Sequence, residues 1–309
     1  MTLSERNIFF KAGIIFCAVC ALLILAASFI TIPLYQEAGY IPLTASDVLP
    51  VSDVSLSADD PPEEEGYSPP LKAAQRRPQN FFHSITNKIA ANNYYAVHTA
   101  LSLLAIFSLA GIFLIHYYFE RTSAPEILYI AFFTISFSFE AIRLVIPLQL
   151  ALNFPSVYIL AAAKILLFVR FFGIFSLFAA SICSSGLEVQ KIRNVIFALI
   201  ISAMAVTMGV PIDVLNWNTS FNMVNGYSSM FAVIEIVVFI TTMISFLITA
   251  KNRFSREYIY VAAGITIALI GRNFLLNTDN WAGLVPGIFL LSFGTWMMCS
   301  KLHKIHLWL

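Results

Sequence analysis

Charge is what this sequence has least of. Lys, Arg, Asp and Glu make up 11% of its 309 residues, while 59% are hydrophobic. An average soluble domain is about a quarter charged and about half apolar, so this chain has too few polar side chains to cover a surface in water. Its 18 basic and 17 acidic residues leave a net charge of +1, which gives no reason to expect nucleic acid or another polyion as a partner. Cysteine is scarce as well. Cys17, Cys20, Cys183 and Cys299 all lie in or beside apolar stretches, which argues against an extracellular disulfide framework. Cys17 and Cys20 form a C-x-x-C, but inside an apolar helical pattern with no further ligands, where small apolar fillers are the expected role.

Enzyme signatures are also missing. There is no H-E-x-x-H, Walker loop, G-x-S-x-G or phosphate-cradling glycine run. Asp213 and Asp279 fall in connecting loops. His98 and His116 lie near opposite ends of one segment, and His303 and His306 stand in the final residues without a neighbouring thiol or carboxylate in sequence. The expectation is therefore no enzyme, no cofactor and no metal. No internal repeat is visible.

What the chain does have is apolar length. A membrane-crossing helix needs about 20 mostly apolar residues, at 1.5 Å each across a core of about 30 Å. Eight segments meet that demand: Ala12–Pro33, Tyr95–Tyr118, Ile127–Leu152, Ser156–Cys183, Val195–Pro211, Val224–Ala250, Tyr258–Leu276 and Trp281–Ser300. The fold class expected is an all-α, polytopic transmembrane bundle of about eight helices. In that organisation residues 1–33 form a cytoplasmic start and first helix, a retained anchor whose apolar core exceeds that of a cleaved signal. A bundle of seven helices occupies 95–300, and 301–309 form a short basic tail. Pro147 and Pro286 are expected to kink the third and eighth segments.

Lys and Arg set the orientation. With the N-terminus inside, that side carries Arg6, Lys11, Arg121, Lys191, Arg193, Lys251, Arg253, Arg256, Lys301 and Lys304, while the short loops opposite hold neither Lys nor Arg. Both termini are thus expected in the cytoplasm, in a cell (inner or plasma) membrane. The one long loop, 34–94, falls outside. Its acidic, proline-rich middle around Pro61-Pro62-Glu63-Glu64-Glu65 buries too little apolar surface to offset its ordering entropy. Phe81, Phe82, Ile85 and Ile89 near its end predict a short interfacial helix.

Six ionisable residues sit inside the expected spans: Glu140, Arg143, Lys164, Arg170, Glu235 and Arg272. Each costs about 2.5–3.5 kcal/mol at the bilayer centre, so they must pair, line a cavity or reach an interface. Glu140 and Arg143, three apart, share a helical face and form a candidate ion pair. Lys164 and Arg170, six apart, point to different sides, which leaves Arg170 as a separate buried charge. By direction of travel Arg143, Lys164 and Arg272 fall in the outer half. They form a candidate pocket for an anionic group, with Glu235 deeper as a counter-ion.

Three roles compete. An exposed N-terminal segment followed by seven closely connected helices is similar in layout to bacterial seven-helix sensory modules. That predicts a receptor-like component signalling through a separate cytoplasmic partner, docked on Lys251, Arg253 and Arg256. The buried charges alternatively predict a transporter or channel subunit for a small anionic solute, and a structural or assembly protein is the third reading.

Overall fold

The computed structural model describes residues 3–37, 93–120, 124–152, 155–186, 192–218 and 220–307. The acidic loop segment and the expected interfacial helix both lie outside the described residues. Helix α1 spans Leu3–Glu37 and α2 spans Tyr94–Phe119. The third crossing is composite: α3, Pro125–Ser136, runs into a 3-10 stretch, Phe137–Leu144, and continues as α4, Val145–Leu152. Then come α5, Ser156–Ser184, and α6, Ile192–Met208. A two-stranded ribbon follows, β1 Ile212–Trp217 paired antiparallel with β2 Met223–Asn225. Last are α7, Ser228–Asn252, α8, Glu257–Leu276, and α9, Trp281–Leu307.

The architecture is an all-α bundle, and seven of its helices are long and apolar enough to cross a membrane. The eighth, α6, has 17 residues, about 26 Å of helix at 1.5 Å per residue. It ends at Met208, three residues before the expected Pro211, and the ribbon takes up residues assigned above to the start of the sixth span. At the other extreme α1 has 35 residues, about 52 Å and well beyond a hydrocarbon core of about 30 Å. Its overhanging first turns are held by Arg6, which donates to the Phe119 carbonyl at 2.7 Å and to that of Glu120 at 3.2 Å. Helix α9 likewise runs on to Leu307, through residues expected to form a tail.

The kink expected at Pro147 takes a different form. Pro147 has no N–H for the carbonyl four residues back, and the winding ahead of it tightens to 3-10 over eight residues, longer than the three or four such stretches usually reach. With three residues per turn, i and i+3 eclipse, so Glu140 stands directly in line with Arg143.

Helices α8 and α9 form the most intimate pair. A Cβ added at Gly271 would sit 2.8 Å from the Gly287 carbonyl oxygen, and one at Gly294 would sit 2.6 Å from that of Gly264. Two glycines seven residues apart on each helix therefore let the backbones touch, as small residues do between membrane helices. Around this pair the main core gathers Phe10, Leu104, Phe133, Phe137, Phe246 and Tyr258. The outward face of α7 is the reverse. It exposes Val233, Ile236, Val237, Ile240, Ile244 and Leu247 in one apolar stripe, a surface suited to hydrocarbon and not to water.

Candidate ligand-binding site

A cavity of about 380 Å³ lies at the ribbon end of the bundle, between the 3-10 stretch, α4, α5 and the ribbon turn. Its polar side presents Arg143 and Arg170 with Asn218, Asn222 and Asn277. Ile142, Ile146, Ile159, Leu166 and Leu167 supply its apolar side.

The two arginines are fixed by one carboxylate. Arg170, midway along α5, donates from Nε to Glu140 Oε1 at 2.7 Å and from Nη2 to Glu140 Oε2 at 2.6 Å. This fork is the strong bidentate geometry of a guanidinium on a carboxylate. Arg143 approaches the same Oε2 at 3.5 Å. The expected Glu140–Arg143 pair is present, but the closer partner of Glu140 is Arg170, on another helix. The Arg143 side chain is 1% exposed; it donates through Nη2 to the Ser220 carbonyl, while its Nε has no hydrogen-bond partner.

The ribbon turn completes the site. Asn222 accepts from Arg170 at 2.8 Å, and its own amide donates to Ser220 Oγ at 3.1 Å and to the Leu276 carbonyl at 3.0 Å. The turn is held by Asn218 N–H to the Asn222 carbonyl, 2.8 Å, and Phe221 N–H to the Asn218 carbonyl, 2.9 Å. Phe221 has a φ of 55°, a left-handed conformation costing about 1–2 kcal/mol for a residue with a side chain. Its ring is wedged against those of Tyr94, at 5.5 Å, and His98, at 5.9 Å, contacts that hold it there.

The other candidates are distributed differently from the expected pocket. Arg272 reaches Glu235 at 3.8 Å, so Glu235 is that arginine's partner and not a counter-ion beneath three cations. Arg272 also lies within electrostatic range of Glu140 and Arg170, and its Nη2 is buried without an acceptor. Lys164 does not line the cavity. Its ammonium caps the end of α6, donating to the Thr207 carbonyl at 2.9 Å and to that of Val210, where a cation meets the negative end of a helix dipole. The charged constellation thus holds Arg143, Arg170 and Arg272 against the buried Glu140 and a half-buried Glu235, one positive charge in excess.

The sequence marks Asn218-Thr219-Ser220 only as a glycosylation tripeptide on the outer side; that Asn218, Ser220 and Asn222 belong to the site was missed, because a loop between two spans carries no periodicity to show it. It also missed Arg170 as the partner of Glu140, since helix order around a bundle is not written in one sequence.

At the opposite end Lys251, Arg253 and Arg256 are exposed. Arg253 donates to the Tyr258 hydroxyl at 3.3 Å. Glu257 binds Lys301 at 3.1 Å and Lys304 at 2.6 Å, joining the two ends of the α8–α9 pair. His306 stands 3.5 Å from the buried Glu126. Among the described residues no three His, Cys, Asp or Glu side chains converge as a metal site. No family model matches the chain, and no curated protein matches it.

Proposed function

We propose that this chain is a receptor-like membrane module that binds a small anionic ligand at its extracytoplasmic face and signals through a cytoplasmic partner. The observation that carries the reading is the cavity at the ribbon end, where Arg143 and Arg170 face one space while a single carboxylate stands between them. The excess of Lys and Arg in the loops at the other end supports placing the ribbon end outside, with both termini in the cytoplasm.

Binding fits better than catalysis, because among the described residues those lining the cavity include no Ser, Cys, His, Lys, Asp or Glu, the side chains from which a nucleophile or general base is usually made. Signalling is supported by a continuous mechanical path. Asn222 ties the cavity to the last carbonyl of α8, at Leu276. The glycine-locked α8–α9 pair then runs as one stiff unit to the end bearing Lys251, Arg253 and Arg256. A partner with an acidic surface would read that end.

One observation favours transport instead. The third crossing is interrupted by 3-10 winding at the charged cluster, and broken helices at mid-membrane are a mark of transporters. Below the cavity the bundle is filled by Phe133, Phe137 and Phe171, which favours a closed receptor. The test uses methanesulfonate, an anion that stays charged and does not leak through lipid. Saturable binding to protein in nanodiscs with no uptake into proteoliposomes supports the receptor. Uptake abolished by Arg143→Gln moves the assignment to transport, and absence of saturable binding by both methanesulfonate and its longer homologue octanesulfonate sinks both.

A further inference from the structure

We propose that the ligand of this cavity is an amphiphilic monoanion, one carboxylate-sized head on an apolar body, with the head at Arg143 and Arg170 and the body along α5. The inference rests on the cavity being a binding site, and it names what enters.

Charge sets the valence. Three arginines face two glutamates in the charged constellation, Glu140 buried and Glu235 half-buried, so one negative charge completes it. A dianion would leave one negative charge unmatched by the arginines, and a cation would be repelled. The donors needed are already in place. Arg143 Nε is buried on a side chain that lines the cavity and has no acceptor, a state that costs free energy until an oxygen arrives. Asn218 and Asn277 line the same cavity, the Asn277 amide already donating to the Asn273 carbonyl at 3.1 Å.

Shape sets the body. A volume of about 380 Å³ is near the lower end of small-molecule sites, about 300–1,000 Å³, yet more than ten times the share of one water, about 30 Å³. Chloride or phosphate would satisfy the arginines and leave the wall of Ile146, Ile159, Leu166 and Leu167 uncovered. Ala162 and Ala163 keep that wall open where larger side chains would close it. Such a molecule could be a fatty acid drawn from the bilayer or an organic acid taken from water; the recognition chemistry is the same.

The full chain in phosphatidylcholine nanodiscs is titrated by calorimetry with octanoate, acetate, octylammonium and inorganic phosphate, with empty nanodiscs as baseline. Octanoate is expected to bind about 60-fold tighter than acetate, for about three newly buried methylenes at about fourfold each. Octylammonium shows no saturable binding. Arg143→Gln weakens both acids, and Ala163→Leu, which leaves the charged network intact, narrows the octanoate-to-acetate ratio to about tenfold or less. Competition by hexadecanoate placed in the nanodisc assigns the bilayer as source, and its absence with octanoate still bound assigns the water-soluble acid. Octanoate no tighter than acetate, or octylammonium equal to octanoate, overturns the amphiphile. In that case acetate or phosphate binding lost in Arg143→Gln leaves the anion site standing, whereas no anion bound at all removes the site itself.

Discussion

Replacing Glu140 by Gln probes the charged cluster most sharply. The carboxylate is 3% exposed and accepts two charge-assisted bonds from Arg170, at 2.6 and 2.7 Å, with Arg143 at 3.5 Å. The amide keeps the shape and offers Arg170 one neutral acceptor, but it removes the carboxylate charge that stands between the buried Arg143 and the half-buried Arg170. Breaking a buried pair by neutralising one partner costs about 3–5 kcal/mol, and the expected loss for Glu140→Gln falls in that range. Reversible unfolding in bicelles titrated with dodecyl sulfate measures it. Double-mutant cycles then apportion the effect. The Glu140–Arg170 coupling should reach about 2 kcal/mol and exceed the Glu140–Arg143 coupling by at least about 1 kcal/mol, in keeping with a fork at 2.6 Å against a single approach at 3.5 Å. A loss below about 1 kcal/mol for Glu140→Gln, or a larger coupling to Arg143, would show that Glu140 is not the carboxylate that holds the two arginines.

Other expectations follow from the packing and the caps. Gly271→Leu forces the touching backbones of α8 and α9 apart and should cost about 3 kcal/mol or more in the same assay; a neutral result would show that the two helices do not meet there. Lys164→Met leaves the Thr207 carbonyl with only the Val210 N–H, at 3.3 Å, and takes the ammonium donor from the Val210 carbonyl; it should cost about 1–2 kcal/mol, with methanesulfonate affinity unchanged, because Lys164 does not line the cavity. Neutralising Arg272 with Gln leaves Glu235 without its cation and lowers the positive potential felt at Glu140 and Arg170; anion affinity should fall about three- to tenfold, less than in Arg143→Gln, as an electrostatic contribution without contact.

How far the sequence could be read is decided by which physics is local. Hydrocarbon demands long apolar runs, so Tyr94–Phe119, Ser156–Ser184 and Glu257–Leu276 emerge within about a residue of their observed ends. The Glu140–Arg143 spacing is likewise local, and their proximity was legible. Nothing local reports that Arg170 on α5 comes between 3-10 residues and ribbon, because that depends on which helices are neighbours. The ribbon turn was read as loop because its hydrogen bonds, Asn222 to Arg170 and to Leu276, join positions more than fifty residues apart. The 3-10 winding had a partial signal in Pro147, which indicates a disturbance without saying how many residues it involves. The glycine pairs Gly264/Gly271 and Gly287/Gly294 were in plain view. Their seven-residue spacing is a packing signature that hydropathy alone passes over.

Chemical access to Asn218 tests the site and its orientation together. This residue is exposed at the cavity and lies beside the arginines. In a chain whose Cys17, Cys20, Cys183 and Cys299 are replaced by Ala, Asn218→Cys is treated with a membrane-impermeant maleimide on intact cells, with and without saturating octanoate. Labelling from outside is expected to be rapid and to slow at least about fivefold with octanoate, as occupancy of a confined site should cause, whereas Asn252→Cys labels only after lysis. Labelling of Asn218→Cys only in lysed cells, or labelling from outside at a rate no anion alters, would contradict that expectation.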